Sequence, residues 1–195
     1  MFIFLAAFII FVLIMNYFIR KNNVSQHSRE ESFWSREQKA NFTRRKDISN
    51  LNYLTIPLEK IPQNLHTDAE KTLVDLSSCQ MLNLTGLTNT DLKLEYGAAN
   101  LDALCEYDNH FTTFVQTIPI YARELIDTGQ TEDARELLEL AVSYHADASV
   151  IYTMLADIYQ QNGQADSIPS LIDSANEINS VSKNIIIEKL NAYLP

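Results

Sequence analysis

Four glycines and five prolines in 195 residues are few, so tight reversals are scarce and a helical class is favoured. The same shortage leaves no room for a Gly-rich phosphate loop, and neither a G-x-S-x-G elbow nor an H-E-x-x-H pair occurs. Four histidines, His27, His66, His110 and His145, stand far apart, none three or four residues from another His or a Cys. That spacing argues against a zinc site. Cys79 and Cys105 are the only cysteines, both in apolar-periodic stretches. They read as buried free thiols of a reducing compartment, with a disulfide as the alternative. No cofactor motif is present, and the chain is expected not to be an enzyme.

Charge is unevenly placed. The net formal charge is -10, yet residues 20–46 carry eight basic side chains against three acidic, a local +5. Residues 47–195 hold seven basic and 22 acidic side chains, or -15. An acidic globular part repels phosphates, which disfavours a nucleic-acid partner.

One long apolar run is present. Phe2 to Ile19 is uncharged and interrupted only by Asn16. As a helix it would span about 27 Å, the thickness of the bilayer hydrocarbon. No basic segment precedes it and no small-residue cleavage site follows, so an uncleaved transmembrane anchor over residues 1–20 is expected rather than a signal peptide. Nearby basic residues all follow the run, which predicts an amino terminus outside and a cytoplasmic domain. In that setting the sequons at Asn23, Asn41 and Asn83 would be unused.

Residues 21–46 read as a basic juxtamembrane helix or linker. Ser28 and Glu31 have capping-box spacing, predicting a helix from Ser28 to about Asn41. Trp34, Arg36, Lys39, Arg44, Arg45 and Lys46 are candidate membrane-surface contacts; a solvated spacer is the equal alternative. Residues 47–66 contain Ile56-Pro57 and Ile61-Pro62, so they should be extended. Ile48, Leu51, Leu54, Ile56, Leu58 and Ile61 make this strap too apolar to hang free, and packing along a helical surface is expected.

From residue 67 onward the chain predicts helices. Thr67 and Glu70 form a second capping box before a helix running to about Asn83. The polar turn Asn83–Asp91 follows, with side-chain turn bonding as its default account and ligand contact as the outside one. A helix from about Leu92 to Tyr107 contains Gly97. Asp108 or Asn109 is expected to cap the next helix, and Pro119 to kink it or to start a new one near Thr117.

Val115 to Ser182 carries one pattern twice. Tyr121, Ala122, Leu125, Gly129, Leu138 and Ala141 recur at a fixed offset as Leu155, Ala156, Tyr159, Gly163, Ile172 and Ala175. A period of about 34 residues resembles the tetratricopeptide (TPR) helix-turn-helix unit, with repeats at 115–148 and 149–182. The pattern departs from the family at Ile168, where Ala is usual, and at Ala146 and Ser180, where Pro is usual. Residues 183–195 would add a capping helix. The fold class expected is therefore all-α, a transmembrane helix followed by a small TPR-like domain over 67–195. Such chains resemble bacterial membrane-anchored TPR proteins.

The resemblance implies a partner groove lined by the first helix of each repeat. By position its candidates are Gln116, Arg123, Asp127, Val150, Thr153, Asp157 and Gln160. Val115 to Pro195 holds 12 acidic and four basic side chains, so a protein partner presenting a basic or extended segment is expected. A membrane-anchored adaptor is the first functional expectation. A structural subunit of a membrane complex, or a self-associating scaffold, is the second. A domain working outside the membrane is the third, and the flanking charges do not support it.

Overall fold

The computed structural model describes residues 2–194, apart from the side chains of residues 2, 3, 5–7, 9, 13, 19, 20 and 22–28. The described chain is all-α. Its helices are α1 (Phe2–Asn41), α2 (Asp68–Ser77), α3 (Asn89–Tyr96), α4 (Leu101–Asp127), α5 (Thr131–Ser143), α6 (Ser149–Gln161), α7 (Ile168–Asn176) and α8 (Lys183–Asn191). Two compact units result. One joins residues 1–46 to 89–99, and the other joins 47–88 to 100–195.

In the first unit α1 is one helix of 40 residues, about 60 Å long at the usual rise. It does not restart at Ser28, whose side chain lies outside those described. The backbone passes without a break from the apolar run into the charged stretch. Several side chains of that run, those of residues 2, 3, 5–7, 9, 13 and 19, also lie outside the described set. Among the described residues no helix is long and apolar enough to cross a membrane. This corrects the expected single-pass anchor, and with it the outside amino terminus and the cytoplasmic placement.

The charged end of α1 packs on α3. Glu37 pairs with Lys93 and accepts from the Thr90 hydroxyl at 2.6 Å, while Lys93 also donates to Asn41 at 2.9 Å. Arg36 pairs with Asp91. Ala40 and Leu92 supply the buried apolar contribution. The helix expected over Leu92–Tyr107 is instead split. Gly97 sits at φ +92, where a Cβ would strike the Arg44 carbonyl and lie 2.7 Å from Arg45 Cα. The left-handed backbone ends α3, and close approach of the 44–45 segment requires glycine there.

The second unit is built on α4, a 27-residue helix that runs through Pro119. Neither Asp108 nor Asn109 caps a new helix. Asp108 accepts from the Leu84 N–H at 3.3 Å, and Leu104, Phe111, Phe114 and Ile118 keep one buried stripe continuous across the expected boundary. Continuous burial outweighs the one backbone bond that proline removes. Helix α2 stops at Ser77, short of the expected Asn83. The hydroxyls of Ser77 and Ser78 bond back to Val74 and Asp75, and Met81 leaves to form a two-way bridge with Leu54, both N–H···O distances 2.9 Å.

The strap lies on the helices, with Ile56 and Ile61 in the core. It makes a short 3-10 turn at Leu58–Lys60. Helix side chains satisfy its backbone: Tyr144 donates to the Thr55 carbonyl at 2.7 Å and Tyr121 to that of Pro62. Asn64 reaches Gln130 at 2.6 Å. The strap therefore runs antiparallel to α5, from its carboxyl end toward the α4–α5 turn.

Beyond it the same turn closes α4, α5 and α6. Gly129 N–H donates to Ile126 (3.0 Å) and Gln130 N–H to Leu125 (2.8 Å). One repeat on, Gly163 N–H donates to Gln160 (3.1 Å) and Gln164 N–H to Tyr159 (2.7 Å). These are Schellman closures, as is the end of α5, where His145 N–H donates to Val142 (2.9 Å) and Ala146 N–H to Ala141 (3.0 Å); such closures satisfy the last carbonyls of a helix. Helices α4 and α6 touch, as do α5 and α7, and α8 packs on α6 and α7. Helix α6 starts at Ser149 and α8 at Lys183.

Candidate functional site

An exposed stripe runs along α4. Gln116, Ile120, Arg123 and Asp127 are spaced four, three and four residues apart, which places them on one helix face, and all four are exposed. The other candidates, Val150, Thr153, Asp157 and Gln160, lie on α6, which touches α4. Ile120 is 56% exposed and Val150 39%. Among the described residues no side-chain hydrogen bond or ion pair engages Gln116, Arg123 or Asp127.

The α6 half of the face is already occupied. The Tyr193 hydroxyl donates to Asp157 Oδ1 at 2.8 Å and lies 3.5 Å from the Thr153 carbonyl. Gln160 donates to the Tyr193 carbonyl at 3.4 Å, and Lys189 reaches Ser149 at 2.9 Å. Burial, helped by the Asp157 carboxylate that accepts its proton, pushes the Tyr193 phenol up to about 12. The seven candidates are thus divided. Gln116, Arg123, Asp127 and Val150 remain open, while Thr153, Asp157 and Gln160 face the carboxyl-terminal segment.

Ile120 was not among the sequence-derived candidates. Its signal is present all the same, because it lies four residues after Gln116 on the same face, two positions away from the buried Ile118. Tyr193 was not among them either. It falls one repeat period after Tyr159, so the repeat arithmetic reaches it, but the hydroxyl's reach to Asp157 is a matter of packing.

The candidates from the basic stretch are spread over the first unit. Trp34 is exposed and meets Phe33 edge-on, ring centroids 5.4 Å apart. Arg36 is held by Asp91. Lys39 and Arg44 are exposed, while the Lys46 N–H bonds to the Tyr96 carbonyl at 3.0 Å.

The polar turn after α2 is used internally. Asn83 donates to the carbonyls of Tyr144 (2.9 Å) and His145 (3.3 Å), and its own oxygen accepts from Thr85 at 3.1 Å. Both cysteines are free and partly buried. Among the described residues no group of three or more His, Cys, Asp or Glu could hold a metal ion. No protein-family model, curated protein or solved structure matches the chain.

Proposed function

We propose that the chain is a non-enzymatic adaptor whose second unit is a TPR-like array binding a segment of a partner protein along α4. Left-handed glycines at the corresponding turn positions, Gly129 and Gly163, support the TPR-like reading. One observation carries the binding reading: Ile120 stands exposed among Gln116, Arg123 and Asp127, a mixed apolar and charged stripe with no described intrachain partner. Single exposed apolar residues are ordinary; here a second, Val150, is exposed on α6, which touches α4. The second unit holds six basic and 20 acidic side chains, a net charge of -14. A basic segment is therefore the favoured occupant, steered by long-range attraction and held by an apolar side chain seated on Ile120.

The test is crosslinking of the full chain in its host, with mapping of the crosslinked sites. A discrete partner joined near α4 is expected, and Ile120→Asp with Asp127→Lys should abolish it while leaving the melting curve unchanged. Recovery of the chain alone, or of a complex indifferent to the double substitution, would refute the adaptor.

A structural subunit is the second reading. It is favoured by the described aromatic side chains at the start of α1: Phe4, Phe8, Phe11 and Phe18 are all exposed by more than half, which a permanent partner surface would cover. Sedimentation of the full chain separates the two, a discrete monomer favouring the adaptor and self-association the subunit.

A further inference from the structure

We propose that the cleft between α5 and α7 binds an alkylammonium group, either the side chain of a lysine or a free alkyl diamine. The cleft encloses about 300 Å³, the lower end of the ligand-sized range and suited to one extended chain of a few methylenes rather than a ring system. Val142, Leu155 and Leu171 supply apolar lining, and Glu139, Tyr159 and four serines supply its polar atoms. Its lining comes from α5, α6, α7 and the turn before α7, and takes no residue from the α4 stripe.

The polar atoms are arranged as acceptors. Glu139 Oε1 takes the Tyr159 hydroxyl at 3.0 Å and an Arg135 N–H. Its second oxygen has no partner among the described residues. Ser143 and Ser174 donate their hydroxyl protons to the Leu140 (2.7 Å) and Ser170 (3.1 Å) carbonyls. Their oxygens therefore stay open to an incoming N–H. Ser167 and Ser170 add two further hydroxyls with no described side-chain bond.

Charge selects the ligand. Arg135 is shared between Glu139 and Glu132, the latter bonded to its Nε at 3.0 Å. Two carboxylates and one guanidinium leave the cluster one negative charge in excess. A second cation completes it, whereas an anion would be repelled by the excess carboxylate charge. An ammonium brings three donors and no acceptor, and its methylene stem covers the apolar lining. A charged hydrogen bond to the open Glu139 oxygen is the strongest single contact available there.

Titration of the full chain with cadaverine and with Nα-acetyl-lysine methylamide, followed by backbone amide NMR, tests the site. Both amines should shift the amides of residues 139, 143, 159, 167, 170 and 174. Glu139→Gln should weaken binding about tenfold. Ser170→Leu, at an exposed position that does not threaten folding, should weaken it by filling the mouth. Glu136→Gln, an exposed carboxylate outside the cleft, should leave it unchanged. Tighter binding of the diamine identifies a free ligand, and tighter binding of the lysine amide identifies a partner side chain. Three results would overturn the site: no shift at these residues, equal binding of Nα-acetyl-norleucine methylamide, or equal weakening by Glu136→Gln. The last would reveal only diffuse attraction to an acidic surface.

Discussion

The hydroxyl of Tyr144 donates to the Thr55 carbonyl at 2.7 Å across 89 residues of chain. That bond fastens the strap to the end of α5, and the Tyr144 ring rests against Phe114 with centroids 5.9 Å apart. Tyr144→Phe keeps the ring contact and removes only the donor. A loss of about 1 kcal/mol is expected in chemical denaturation, with faster proteolytic cleavage within residues 47–66. Unchanged cleavage would mean that Ile56 and Ile61 hold the strap alone.

Gly97→Ala is expected to disrupt the first unit. The new methyl meets the Arg44 carbonyl, and φ +92 is unfavourable for any side chain. A cost of about 2 kcal/mol or more follows. Hydrogen exchange should show the amide of Lys46, bonded to Tyr96, losing protection first.

Acid should loosen the contact between α1 and α3. Hydrogen bonds from Lys93 and Thr90 hold the Glu37 carboxyl below its usual value of 4.5. A carboxyl depressed in the folded state stabilises fully above its unfolded value, and that stability is lost as pH falls through the lower folded one. The unit should therefore loosen only below about pH 4.5, and Glu37→Gln should flatten that limb of the pH profile.

Helix α8 should behave as part of the core. Leu190 and Ile186 are fully buried, whereas Ile185 is 54% exposed. Leu190→Ala is expected to cost about 2–4 kcal/mol, a deletion from a packed core, while Ile185→Ala should lie within about 0.5 kcal/mol of neutral. Equal effects from the two would mean α8 is not seated as described.

At the position held by Tyr121 in the first helix and Leu155 in the second, α8 carries Lys189. The side chain lies on the exposed side and bonds to Ser149. A charged stem there suits a helix whose outer face stays wet, which the bare spacing of α8 from α6 does not reveal.

The amino-acid sequence by itself determined the helical class and most helices from Thr131 onward. Those elements are written in local terms: a polar first turn at Thr131 to Asp133, a glycine past each turn, and apolar residues at helical period. The resemblance to TPR units, and not the sequence pattern itself, pointed to Gln116, Arg123, Asp127, Val150, Thr153, Asp157 and Gln160. Only the tertiary structure decided where longer elements begin and end. Burial on α2 carries α4 straight past Asp108 and Pro119, and the crowding of Arg44 breaks the chain at Gly97. Tertiary packing likewise joined Tyr193 to Asp157 and set Ser143 across from Ser170. Such contacts link residues far apart in the chain, and no local propensity encodes which of two exposed faces a later helix will cover.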